Sequence, residues 1–361
     1  MSTGFPQPFE TTDLLGHADA EATFLAALAS GRMAHGWLLA GPAGVGKATL
    51  AYRMARALLA HGERATTLDI PETDPVFVRV RGRTHGNLLV VERGAMKSDP
   101  SRRSETIDVE SVRAVGEFLS LSSAEGGWRV VIVDEAETMN TSSANALLKV
   151  LEEPPPRCAL LLVSHNAGRL LPTIRSRVRT LTLKPLPPQA MESLFARHLP
   201  GLDPRKRAVL AGLAEGSIGR ALALSAHLDD WEKVLELLRS APAFPTAALH
   251  ELGEAVAKKQ ELFDALSDLL PWWLARLARS GAGDASGASA RAGDEDRIWQ
   301  HFLEAAPLDQ WVDVWENTGT LFRKARALHL DRKQTVLSVF HLIGRTLASG
   351  PAGAGAPDLR R

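Results

Sequence analysis

In the first half of the chain, short apolar runs alternate with stretches whose apolar residues fall at helical spacing. Residues 37–40, 88–92, 130–133, 160–164 and 179–183 are mostly continuous in apolar character. Such runs predict strands buried on both faces of a mainly parallel sheet. After Gly46, Leu50, Met54 and Leu58 recur every fourth position, and Gly62 is placed to end that helix. Asp108 can cap a second helix carrying Val112, Val115 and Leu119 on one face. A third, over residues 145–153, is closed by Pro154, Pro155 and Pro156. The alternation predicts an α/β core, a parallel sheet with flanking helices.

Pro185, Pro187 and Pro188 mark a junction at residue 184, beyond which the pattern is helical throughout. A small helical unit is expected over residues 185–230 and a larger one over 231–347. In the larger unit, residues 234–238, 262–274, 311–322 and 335–343 keep helical spacing, and Trp311 and Trp315 are expected to stack at i, i+4. Residues 280–294, nearly all Gly, Ala, Ser and Asp, predict a flexible loop, and residues 348–361 a disordered tail.

Charge narrows the function. Lys+Arg and Asp+Glu each total 42, a net charge of +0, so the footprint of a dedicated nucleic-acid binder is absent. DNA contacts must then come from local patches or from several subunits together. The single cysteine, Cys158, excludes a disulfide scaffold and a thiolate metal cluster, and fits a reducing cytosol. The first ten residues have neither the basic nor the apolar run of a secretory leader. A cytoplasmic protein with no membrane partner is expected.

Candidate chemistry begins at Gly41-Pro-Ala-Gly-Val-Gly-Lys47, between a strand and a helix. Gly41, Gly44 and Gly46 let backbone N–H groups curl around phosphate oxygens, the helix N-terminus adds positive potential, and Lys47 reaches the β/γ-phosphates. The pattern next wants a Ser or Thr hydroxyl for Mg²⁺. Ala48 stands there instead. Thr49 follows, but one residue turns the helix by ~100° and aims its hydroxyl elsewhere. This predicts a degraded site that holds ATP and Mg²⁺ weakly or statically. Asp134, ending the run Val-Val-Ile-Val, is placed to hold the metal, with Glu135 beside it as the acid that orients an attacking water, here weak or vestigial.

Three further elements carry a resemblance. Asn145-Ala-Leu-Leu-Lys-Val-Leu-Glu-Glu-Pro-Pro-Pro156, Leu160-Leu-Leu-Val-Ser-His165 and Leu171-Pro-Thr-Ile-Arg-Ser-Arg177 are similar to the bacterial clamp-loader branch of the AAA+ ATPases, which serves DNA polymerase III in replication. Glu125-Gly-Gly-Trp-Arg and Leu330-Asp-Arg-Lys-Gln-Thr-Val extend the likeness over nearly the whole chain. The resemblance implies an AAA+ core over residues 1–184, a helical lid over 185–230 and a helical collar over 231–347. It further implies a hetero-pentameric ring with motor and clamp-opening subunits, which places a sliding clamp on primer–template DNA. The family's Ser-Arg-Cys element falls on Ser176-Arg177-Val178, so Arg177 is the implied finger toward a neighbour's ATP. Polymerase chemistry is not encoded here and would belong to the assembled holoenzyme.

The departures choose among family members. The family's nucleotide-sensing arginine of the lid falls on Gly219, with Arg220 one place later. With Ala48, that removes two groups an active ATPase uses on its own nucleotide. The family's four-cysteine zinc module has no counterpart, so no zinc is expected. His165 falls where the family places a polar sensor, and a surface role is equally open. The expectation is a non-hydrolysing stator. The alternative is an ATP-hydrolysing motor subunit of the same machine.

Overall fold

In the computed structural model, which describes residues 5–96, 99–104, 106–120, 127–282 and 293–349, the five apolar runs are the five strands of one parallel sheet. The first part of the chain runs α1 (Ala18–Ala29), β1 (Gly36–Ala40), α2 (Lys47–His61), α3 (Pro75–Arg81) and β2 (Leu88–Val91). A small hairpin, β3 (Ala95–Met96) and β4 (Asp99–Arg103), follows. Then come α4 (Val109–Ser120), β5 (Arg129–Val133), α5 (Thr141–Glu152), β6 (Cys158–Ser164), α6 (Pro172–Arg175), β7 (Arg179–Thr182) and α7 (Pro188–His198). The sheet order is β2-β5-β6-β1-β7.

Successive side chains of a strand face opposite ways, so β1, β2, β5 and β6 each feed two cores, while β7, at the sheet edge, buries only Leu181 and leaves Arg179, Thr180 and Thr182 exposed. Trp37, Leu39, Ile132, Leu161 and Val163 pack with Phe24, Leu50, Met54 and Leu58 on one face. Leu38, Val131, Val133, Leu160 and Leu162 meet Val112, Val115, Leu147 and Leu151 on the other. This is why those four runs are mostly continuous, whereas the run at 179–183 alternates and corrects the expectation of burial on both faces there. Helix ends follow local chemistry: Asp108 Oδ1 accepts from the Ser111 amide at 2.7 Å, Asn140 Oδ1 from the Ser143 amide at 2.9 Å, and Gly62, at φ 59°, ends α2. The β3–β4 hairpin has no apolar run and was not legible in the pattern.

Two compact units divide the chain, one of Met1–Ala196 with Gly216–Arg220, the other of Arg197–Glu215 with Ala221–Arg361. The second is helical: α8 (Pro204–Ala214), α9 (Ile218–Ser225, whose first residues belong to the first unit), α10 (Leu228–Arg239), α11 (Thr246–Lys258), α12 (Gln260–Gly281), α13 (Gly293–Ala305), α14 (Leu308–Leu328) and α15 (Arg332–Ala348). Two expectations are corrected there. Trp311 does not stack on Trp315. It is fully buried and lies on Phe302, 5.0 Å between ring centroids, while Trp315 is 39% exposed. Positions i and i+4 sit ~40° apart around the axis, enough to turn one ring inward and the other out. The expected loop at 280–294 is also too long, since α12 continues to Gly281 and α13 begins at Gly293. Its remainder, 283–292, and the expected tail from 350 lie outside the described residues. Trp272 and Trp273 are both buried, with Trp272 Nε1 donating to Glu215 at 3.1 Å. No helix among the described residues is long and apolar enough to cross a membrane.

Leu161 is fully buried in the middle of β6. Leu161→Ala is expected to lower stability by about 2–5 kcal/mol in urea unfolding. A loss below about 1 kcal/mol would contradict a tightly packed two-sided core.

Candidate nucleotide site

Strand order brings the chemistry together. β6 lies between β5 and β1, so the segments leaving the carboxyl ends of all three emerge side by side. They are the loop 41–46, Ser164-His165 and Asp134-Glu135. The loop turns through positive φ at Gly41, Gly44 and Gly46, and α2 starts at Lys47 directly after Gly46, at φ 110°. Only glycine takes such an angle without strain.

Four successive carbonyls of the loop, from Pro42 to Val45, are engaged. Lys47 Nζ donates to Pro42 O at 2.5 Å, Ser217 Oγ to Ala43 O at 2.8 Å and the Gly219 amide to Gly44 O at 2.9 Å. His17 Nε2 meets Val45 O at 2.8 Å. Gly219 has to be glycine: a Cβ there would lie 2.8 Å from the Gly44 Cα, backbone that cannot swing aside. The arginine that the resemblance led us to seek at 219 is therefore sterically impossible with the lid segment in this position.

Lys47 is buried, which lowers its pKa to about 8 against the opposing pull of Glu137 and Asp134. Burial, then the neighbouring Glu135 carboxylate, pushes Asp134 up from the ordinary carboxylate range, although its Oδ1 accepts the Glu135 amide at 3.0 Å. Glu135 takes a left-handed conformation, φ 51°, and its Oε2 is ion-paired with Arg93 Nε, just beyond β2. Its other oxygen lies 4.0 Å from His165 Nε2. The His165 amide donates to Glu137 Oε1 at 2.8 Å, and burial holds the His165 imidazole below its usual pKa, with Lys47 adding to the effect. The glycine loop, the helix N-terminus and Lys47 thus fit the phosphates of a nucleotide. The metal half fits less well. Ala48 offers no oxygen, Thr49 is partly buried one position further along α2, and Asp134 remains as the acid able to face a cation.

Arg177 is not part of this cluster. It precedes β7 at the amino end of the parallel sheet, with its carbonyl oxygen 3.5 Å from the Cβ position of Gly36, the first residue of β1. The loop leaves the other end of β1. Five residues at ~3.3 Å each separate the two edges by roughly 16 Å. The guanidinium is partly exposed, with Nη2 2.8 Å from Glu152 Oε1 and Nη1 donating to Thr173 O at 2.9 Å. Sequence reasoning missed Arg93, Glu137, His17 and Ser217, whose partners are 28 to 174 residues away.

Two measurements test this site. Between about pH 8 and 10.5 the unfolded chain keeps a Lys47 proton that the folded chain has shed, so Lys47 makes stability rise with pH there. The stability of the native chain minus that of Lys47→Met is expected to grow across that window in denaturant titrations; a flat difference refutes the buried ammonium. Gly219→Ala, colliding with Gly44, is expected to cost about 1–3 kcal/mol in the same assay, and a neutral result rules out the close backbone approach.

Comparison with known proteins finds relatives for the segment that carries this arrangement. Residues 16–187 match the family model described as DNA polymerase III, delta subunit. The DNA polymerase III delta-prime subunit of Pseudomonas aeruginosa is 38% identical over 185 residues, 51% of this chain and 53% of that protein. The gamma/tau subunit of Mycobacterium tuberculosis is 32% identical over 192 residues, 53% of this chain and 31% of that one. The match thus spans about half the length of the delta-prime relative and about a third of the gamma/tau relative. A solved gamma subunit-related protein of Thermotoga maritima overlays 91% of this chain and 100% of its own, at 17% identity and a TM-score of 0.42. The five-stranded parallel sheet with flanking helices is the core that the AAA+ resemblance implied. Over residues 16–187 this chain matches the DNA polymerase III delta family model, and about half of it is similar to delta-prime and gamma/tau subunits.

Proposed function

We propose that this chain is a clamp-loader subunit of the replicative DNA polymerase III holoenzyme, acting as a stator of the delta-prime kind. It completes a hetero-pentameric ring with motor and clamp-opening subunits and lends Arg177 to the ATP of a neighbour while the ring loads a sliding clamp on primed DNA. The domain roles follow the same reading: core over 1–184, lid over 185–230 and collar over 231–347.

The observation that carries this reading is the position of Arg177 at the amino edge of the sheet, roughly 16 Å from its own phosphate loop. From there it serves only a nucleotide outside this chain. A guanidinium so placed neutralises charge developing on a transferring phosphoryl group, a contribution of about 10³-fold or more in rate. Three features of the home site support a non-hydrolysing role: Ala48 supplies no metal-binding hydroxyl, Gly219 admits no side chain, and Glu135 is tied to Arg93. The glycine loop and Lys47 would hold the phosphates of ATP, and Asp134 would face its Mg²⁺. Bound there, the nucleotide is a static ligand. The motor reading keeps one point in its favour, the similarity to gamma/tau over half the chain.

The test is DNA- and clamp-stimulated ATPase of the reconstituted loader. Arg177→Ala is expected to cut turnover by about 10²–10³-fold, and Lys47→Ala to change it by less than about twofold. The isolated chain is expected to show no appreciable turnover even as Ala48→Thr. If Lys47→Ala is the damaging change, the chain is a motor.

A further inference from the structure

Glycine is the residue with most conformational freedom, and the loop 41–46 contains three of them. Without a ligand, nothing in the loop's own composition keeps its amides pointed one way. Donors from two distant segments supply that order. Ser217 and Gly219, preceding and opening α9, take the carbonyls of Ala43 and Gly44, and His17, preceding α1, takes that of Val45. In a trans peptide the C=O and the following N–H point in opposite directions. Fixing the carbonyls of Ala43, Gly44 and Val45 toward those donors therefore turns the N–H groups of Gly44, Val45 and Gly46 away from them, toward the ligand side of the loop.

We propose that His17 and Ser217, together with the Gly219 amide, are positioning residues that hold the phosphate loop in its anion-receiving form before any polyphosphate arrives. The inference rests on reading the loop as a phosphate cradle and deepens that reading by naming what pre-organises it. A carbonyl only accepts, so His17 carries its proton on Nε2. Ser217 has a second partner: its Oγ accepts the Arg220 amide at 3.1 Å, which anchors the hydroxyl on the first turn of α9. Both side chains are buried, at 6% and 5% exposure, so water does not compete for the carbonyls they hold. The ordering cost that a mobile glycine loop would impose on each binding event is met in advance by the fold.

The experiment titrates the full chain with inorganic tripolyphosphate, and separately with ATP, by calorimetry. Ser217→Ala and His17→Ala are each expected to weaken both ligands by about three- to tenfold, the share of one lost hydrogen bond. Ser217→Thr and His17→Gln, which keep a donor at the same reach, are expected to recover most of the loss. Amide exchange read in the unliganded chain gives a second readout: Gly44, Val45 and Gly46 should exchange faster in Ser217→Ala and return toward the native rate in Ser217→Thr. This readout carries the test if His17→Ala fails to fold. Native-like binding and exchange in Ser217→Ala, or tighter binding, overturns the positioning role. If Lys47→Ala abolishes binding while the Ser217 and His17 variants leave it unchanged, the cradle stands and the positioning falls. If the native chain binds neither probe, both are wrong.

Discussion

Burial of β1 on both faces, with β6 on one side and β7 on the other, is the constraint on which the rest of the molecule depends. A strand enclosed in this way cannot slip by one residue without turning Trp37 and Leu39 into the wrong core. Its register with β6, Trp37 opposite Leu161 and Leu39 opposite Val163, fixes where the strand ends and the glycine loop begins. The same register sets His165 beside that loop, and the pairing of β6 with β5 sets Asp134 beyond it. At the other end it fixes the start of β7, and with it the outward placement of Arg177. The glycine loop and Arg177 are thus separated by the length of one short strand.

The crevice at the carboxyl edge is close to electrically balanced within itself. Lys47 faces Asp134 and Glu137, and Arg93 answers Glu135. Burial weakens the charged form of Lys47 and of Asp134 alike. The ion pair with Arg93 occupies one oxygen of Glu135, and no hydroxyl stands at position 48.

The fold was legible where a residue's environment is set by its near neighbours in sequence. The three fully buried strands, β1, β5 and β6, announced themselves as continuous apolar runs, and Asp108 and Gly62 marked helix ends through bonds three or four residues long. β7, with Arg179, Thr180 and Thr182 exposed, is an edge strand and not the doubly buried one its run predicts. The glycine loop and Lys47 were legible for the same reason. What escaped was non-local. The Arg93–Glu135 pair joins residues 42 apart, and the Ser217–Ala43 bond joins residues 174 apart, so no spacing rule reaches them. The Trp311–Trp315 pairing failed for a related reason: helical periodicity says which residues share a face, but only the packing of α14 against the rest of the helices decides which ring is covered.

The contact between Gly44 and Gly219 also bears on what this chain can become. Where two backbones approach this closely, even the methyl group of Gly219→Ala has to displace one of them, and a longer side chain has to displace it further. A long cationic residue at 219 would first require the opening turn of α9 to move off the loop, and the bonds from Ser217 and Gly219 would be lost with that move. A side chain at position 219 is in this sense shut out for as long as the two glycines stay docked.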